Sequence, residues 1–179
     1  YRDPSAWYHI VVAVDTTQGT DTNRVKLYVN GEQVTSFSTE TYPSQNYDGL
    51  INTAAGHYIG TRFDGNGGST VYKPLDGYLA EVHFIDGTAL TPTSFGESGD
   101  YGEWKPIEVE GLTYGDNGYY LDFKNSSALG NDKSGNGNDW TVNNLTASDQ
   151  MLDIPTNNFS TMNPLCNFSD GATLSEGNL

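Results

Sequence analysis

The sequence has little cysteine, little positive charge and no long hydrophobic run. Cys166 is the only cysteine, so no disulfide framework can form within the 179 residues. A lone thiol with no activating neighbour in the sequence reads as a packed or tolerated residue rather than a nucleophile. Lys and Arg number 8 against 23 Asp and Glu, a formal net charge of −15. Such a surface repels phosphate backbones and anionic lipid. It argues against nucleic acid and membrane insertion and leaves cations as its natural complement. No apolar stretch approaches the roughly 18 residues of a membrane span. No signal peptide is visible, and because the chain starts at Tyr1 without Met it is expected to be processed or cut from something longer. Nucleophilic catalysis lacks its motifs as well. His9, His57 and His83 sit inside strand-like runs, and no Gly-x-Ser-x-Gly elbow precedes a helix. A zinc site would need those runs to converge in a way the sequence does not show.

What is present is 21 Gly and 12 Tyr with a hydrophobic content of 35%, a mixture suited to short strands and tight turns rather than helical bundles. The chain is organised around residues 76–86. Asp76-Gly77 and Asp86-Gly87 bracket eight residues with the length and composition of one strand. Its alternation predicts Tyr78, Ala80, Val82 and Phe84 in the core, and Leu79, Glu81, His83 and Ile85 on a mixed, solvent-side face.

Upstream, residues 6–14 are apolar on both parities, as a central strand covered on both faces requires. Residues 24–37 form the clearest local signal. Asn30-Gly31 supplies the two positive φ angles of a type I′ hairpin, pairing Val29 with Glu32, Leu27 with Val34 and Val25 with Ser36. Val25, Leu27, Val29 and Val34 then share the core face, and Lys26, Tyr28, Gln33 and Thr35 face out. A further strand is predicted over 57–63, with Gly60 as a bulge or close approach, then a mobile turn over 64–69. Thr91-Pro92 opens one helical turn that Gly96 ends. Beyond Glu97 the polar, Gly- and Asn-rich chain holds a strand over 118–123, and residues 149–179 read as an extended arm. The predicted division is 1–96, 97–148 and 149–179.

Calcium is the cofactor that one spacing suggests. Asp132, Ser134, Asn136 and Asn138 place oxygen side chains at alternate positions around Gly137, aimed at one hard cation. The twelfth position is Asn143 rather than Glu, so the loop is no EF-hand, and a plain Asn/Gly turn is the alternative. Asp15, or Asp64 with Asn66, is a weaker second cation candidate. Tyr28, with Tyr42 and Tyr47 in the loop that follows, could stack on pyranose rings. The alternative is three tyrosines half-buried at loop bases. Asn-x-Ser/Thr sequons stand at Asn125, Asn144, Asn158 and Asn167.

The order of motifs at residues 7–15, 25–34, 57–60 and 76–86 resembles the concanavalin A-like, laminin-G-like jelly rolls. The shared marks are a Trp-Tyr-His-hydrophobic strand, an Asn-Gly hairpin, an Ile-Gly strand and a Gly-x-hydrophobic-x-Glu strand. The resemblance covers about half the chain. It implies an all-β, antiparallel jelly-roll β-sandwich with an irregular C-terminal arm. In that pattern the Trp-Tyr-His strand follows several strands absent here, so the sandwich is either incomplete at its N-terminus or completed from elsewhere. Gly118–Phe123, residues 132–140, 155–164 and 174–179 are similar to large structural proteins of tailed bacteriophages. That likeness implies a non-enzymatic virion module (tail fibre, spike or head decoration) whose partners are other virion proteins, a second copy or a host-surface glycan. The location implied is the virion or the extracellular space. A glucanase on this fold would carry paired carboxylates on one strand face. Here Glu81 stands alone beside His83, and Glu108 and Glu110 lie in a segment of little strand character. A secreted carbohydrate-binding or glucanase-like module is the alternative, and a cell-surface adhesion repeat without sugar specificity a third.

Overall fold

Asn30 and Gly31 have φ angles of 49° and 84°, the paired left-handed values of a type I′ turn. In the computed structural model, which describes residues 6–53, 55–63, 71–72, 74–151 and 154–155, this turn joins β2 (Val25–Val29) to β3 (Glu32–Gln33). The register follows the sequence: Val29 lies opposite Glu32, and the Val34 N–H donates to the Leu27 carbonyl at 2.8 Å. β1 (Ile10–Val14) pairs antiparallel with the other edge of β2, from Ile10 opposite Val29 to Val14 opposite Val25.

Pairing fixes the two faces of this sheet. Ile10, Val12 and Val14 share one with Val25, Leu27, Val29 and Val34, an all-aliphatic surface. Val11, Ala13, Lys26 and Tyr28 share the other. The strand expected to be central is instead an edge strand among the described residues, paired only with β2. Its aliphatic side stands open, with Ile10 61% and Val12 58% exposed, and on that face Val29 alone is buried. Apolar residues on both parities show that both sides of a strand favour cover. They do not show that the described residues supply it.

β6 (Val82–Phe84) pairs antiparallel with β9 (Tyr119–Leu121), placing Val82 opposite Leu121, His83 opposite Tyr120 and Phe84 opposite Tyr119. On the far edge of β9, Asp132 bridges Leu121 and the Lys133 N–H donates to the Tyr120 carbonyl. β9 is therefore flanked on both sides, and Leu121, 2% exposed, is the most deeply buried apolar side chain among the described residues. This corrects the predicted core. The eight-residue strand over 78–85 shortens to three residues, because β9 offers ladder partners only to 82–84. Tyr78 is 47% exposed, while Val82 and Phe84 are half-buried and Phe84 stacks on Tyr119. His83, expected at the solvent side, has a side chain only 10% exposed.

The turn Pro92–Ser94 follows Thr91 as the sequence predicts, but Gly96 opens a strand, β7 (Gly96–Ser98), instead of merely ending the turn. β7 pairs antiparallel with β8 (Trp104–Pro106), a strand the polar sequence hides. The Trp104 indole lies against both Gly31 and Gly96, so that a Cβ at either would run into the ring. Rings then connect the layers: His9 stacks on Trp104, and Phe95 lies 6.3 Å from His9 and 5.2 Å from His83.

Residues Gly49–Leu79 form a separate unit. In it β4 (Arg62–Phe63) pairs antiparallel with β5 (Val71–Tyr72), and the Leu75 N–H donates to the Gly60 carbonyl. The strand expected over 57–63 is thus two residues long, the φ of 81° at Gly60 interrupting the extended run before it. The turn over 64–69, including Asp64 and Asn66, lies outside the described residues. Helical structure among those residues amounts to three short 3-10 turns and every strand pair is antiparallel, so the fold is all-β, as a concanavalin A-like sandwich requires.

Candidate functional site

A cleft of about 190 Å³ opens on the Lys26–Tyr28 face of the first sheet. Ala13, Asp15, Gln18, Asn23, Lys26 and Tyr28 line it from the β1–β2 side, and Ala89, Leu90 and Thr91 from the segment after β6. Strand parity accounts for half of this wall. Ala13 lies opposite Lys26, and Tyr28 lies two residues along the same face.

The loop that forms the rim is held by its own polar groups. Asp15 Oδ1 accepts the Thr17 N–H at 3.0 Å and the Thr17 hydroxyl at 2.6 Å, and Oδ2 accepts the Gln18 side-chain amide at 2.6 Å. These donors, the Thr17 hydroxyl foremost, hold the Asp15 carboxyl below the usual carboxylate range. Arg24 uses all three guanidinium nitrogens, donating to the Gln18 and Gly19 carbonyls of this loop and to the Pro43 carbonyl of the segment after β3. Gln45 and Asn46 bind the carbonyls of Thr17 and Thr16. The rim thus owes its shape to at least eight hydrogen bonds rather than to a hydrophobic core, which the polar sequence of 15–23 could not supply.

Of the three tyrosines proposed for sugar binding, the cleft takes in Tyr28 and neither Tyr42 nor Tyr47. Tyr42 is half-buried and donates its hydroxyl to Glu40 at 2.7 Å, a bond that pushes its pKa up. Tyr47 is 53% exposed. Gln18, Asn23, Lys26 and residues 89–91 were not singled out by the sequence. The signal for Lys26 was its parity with Tyr28. For 89–91 there was none, since their approach is a long-range event.

Asp132, Ser134, Asn136 and Asn138 do come together, but largely as donors around a carboxylate and a turn. Asp132, 7% exposed, accepts four bonds: Tyr120 N–H and Ser134 N–H on Oδ1, and the Ser134 hydroxyl and Asn138 N–H on Oδ2. Burial works to raise its pKa and these bonds outweigh it, so the net shift is downward. The Asn136 and Asn138 amides donate to the carbonyls of Gly115, Asp116 and Gly118. Asp139 accepts from the Asp132 N–H and the Asn131 amide. The loop therefore latches the turn that leads into β9. Among the described residues no three His, Cys, Asp or Glu side chains gather as a metal-binding group.

Glu81 accepts the Tyr120 hydroxyl at 2.9 Å and lies 3.5 Å from His83 Nε2, while His83 Nδ1 meets the Tyr114 hydroxyl at 2.8 Å. His83 stacks on Tyr120, with ring centroids 4.2 Å apart, and Tyr114 lies near-parallel at 6.1 Å. The His83 contact is the leading cause that lowers the Glu81 pKa. Burial pushes Tyr114 up to about 12 and raises Tyr120 as well. Cys166 and the sequons at Asn158 and Asn167 lie outside the described residues.

A family model described as the concanavalin A-like lectin/glucanases superfamily matches residues 2–94. Comparison with curated proteins gives no match, and comparison with solved structures gives none.

Proposed function

Because the chain belongs to the concanavalin A-like lectin/glucanases superfamily, we propose that it is a non-enzymatic binding module whose cleft beside Tyr28 holds a sugar ring. The observation that carries this reading is the composition of the cleft. One aromatic ring, Tyr28, and the apolar Ala13, Ala89 and Leu90 stand among the hydrogen-bonding groups of Asp15, Gln18, Asn23 and Thr91. A pyranose has the same duality, with C–H faces that pack on aromatic and aliphatic carbon and hydroxyls that need donors and acceptors. The rim is already bonded into shape, which lowers the ordering cost of binding. As for setting, the likeness of Gly118–Phe123 and 132–140 to phage structural proteins supports a place on a virion surface, as part of a tail fibre, spike or head decoration. An extracellular glycan would then be the partner.

The test is a glycan array probed with the full chain and with Tyr28→Ala. Binding by the parent that the variant loses, with far-UV circular dichroism unchanged, supports the reading. An array on which the folded parent binds nothing overturns it. Incubation with β-glucans and measurement of reducing ends separates the alternative, since release of new ends would make the module a glucanase.

A further inference from the structure

We infer that the cleft selects an acidic sugar, a pyranose carrying a carboxylate, and that Lys26 makes the selection; this rests on the sugar-binding reading above. Local charge is the starting point. The chain as a whole carries −15, with only 8 basic residues. Two of them, Arg24 and Lys26, are next-but-one neighbours in sequence, Arg24 just before β2 and Lys26 within it on the face that carries Tyr28. Lys26 lines the cleft, and Arg24 sits at its rim, bonded to the Gln18 and Gly19 carbonyls. Neither is in an ion pair with a carboxylate among the described residues, where the single bridge joins His83 to Glu81. Against these two cations the cleft lining sets one carboxylate, Asp15, whose oxygens already accept three bonds from Thr17 and Gln18. The lining is thus balanced, one ammonium against one carboxylate, on a chain that is strongly acidic as a whole.

Size and spacing narrow the ligand. A volume of about 190 Å³ falls below the roughly 300–1,000 Å³ of sites for drug-sized molecules, so it accommodates a single ring. Residues two apart on a strand stand about 7 Å apart, the scale of one pyranose. A ring packed on Tyr28 therefore brings a C5 carboxylate within reach of the flexible Lys26 ammonium. At physiological salt the field of the distant acidic residues is screened beyond about 8 Å, so one sugar carboxylate responds chiefly to the groups of the cleft. A long polyanion would also meet the acidic surface outside it, which directs the site to short or terminal acidic units.

Calorimetric titration of the full chain at 150 mM salt tests this with three trisaccharide probes: a galacturonic acid trimer, a neutral glucose trimer and a sulfated galactose trimer. The expected result is a uronate affinity about fivefold above that of the neutral trimer, the size of a partly exposed ion pair. Lys26→Gln should bring the ratio close to one, and Lys26→Arg should restore it, all three proteins showing the same melting temperature. Equal affinity for uronate and neutral trimers in the parent overturns the acidic-sugar inference and leaves the sugar-binding reading standing. A preference that survives Lys26→Gln, or a sulfated trimer bound tighter than the uronate, overturns it too. Absence of binding to all three overturns the inference together with the reading it rests on.

Discussion

The indole N–H of Trp104 donates to Nδ1 of His9 at 2.9 Å, joining residues 95 positions apart in the chain. The same histidine exchanges backbone bonds with the hairpin turn: its N–H donates to the Asn30 side-chain oxygen and its carbonyl accepts the Asn30 N–H. Trp104→Phe keeps the ring over Gly31 and removes the donor. The expected loss is about 1–3 kcal/mol, the cost of leaving a part-buried acceptor unpaired, read as a shift of the urea midpoint without change of slope.

His9 also predicts a pH dependence. Burial, its leading cause, lowers the His9 pKa below the ordinary 6.5, with the nearby His83 acting in the same direction. A folded pKa below the unfolded one means that the unfolded chain binds the extra proton more readily. The His9 contribution is therefore complete above about pH 6.5 and is lost as the pH falls through the folded value. Unfolding free energies measured between pH 7 and pH 5 should decline, and His9→Gln should flatten that decline.

Asp132→Asn should be among the most damaging single-atom changes. Four donors converge on the carboxylate, and an amide would turn an N–H₂ toward two of them. The loss expected is roughly 3 kcal/mol, from bonds to a charged acceptor together with donors left facing donors. Since the Asp132 pKa is lowered, its contribution is present at neutral pH and lost as the pH falls through the carboxylate range. Thermal melts of parent and variant should converge in acid.

The same bonds predict how this loop responds to metal removal. Asp132 is already saturated by protein donors, and the Asn136 and Asn138 amides are engaged with carbonyls. Chelator should therefore leave the melting temperature within about 1 °C of its value in millimolar calcium. A calcium-dependent rise of several degrees would show a bound ion adding stability by mass action, with the loop rearranged to present oxygens.

Tyrosine absorbance gives an independent check on the rings around His83. Tyr114 is raised to about 12 and Tyr120 is raised as well, burial being the leading cause for each. In an alkaline titration these two should ionise only as the chain unfolds, well above the value of about 10 for a free tyrosine. The stability they contribute is present below about pH 10 and lost as the pH rises above it.

How far the sequence could be read depended on the range of the interaction. Turn chemistry is local, so Asn30-Gly31 gave the hairpin and its register, and Thr91-Pro92 gave its turn. Strand lengths depend on partners, so 78–85 was too long by five residues once β9 proved to be three residues in length. β8 was illegible because Trp104 gains its place largely from His9 and Gly31, both distant in sequence. The cleft followed the same rule: Tyr28 was legible from parity, while its opposite wall at 89–91 was not. The loop at 132–139 was found by spacing, but spacing specifies where polar side chains meet and not whether they meet as acceptors or as donors.

The open aliphatic side of the first sheet bears on how this polypeptide behaves at the bench. Ile10, Val12 and Val14, flanked by Val25 and Leu27, offer a greasy plane to water on a strand held in register by its antiparallel pairing with β2. Environment-sensitive dyes such as anilinonaphthalene sulfonate should light up on the native chain at room temperature, so that fluorescence ordinarily taken as a mark of a molten state would here report an intact one. Detergent below its micellar concentration should quench that signal without moving the circular dichroism spectrum.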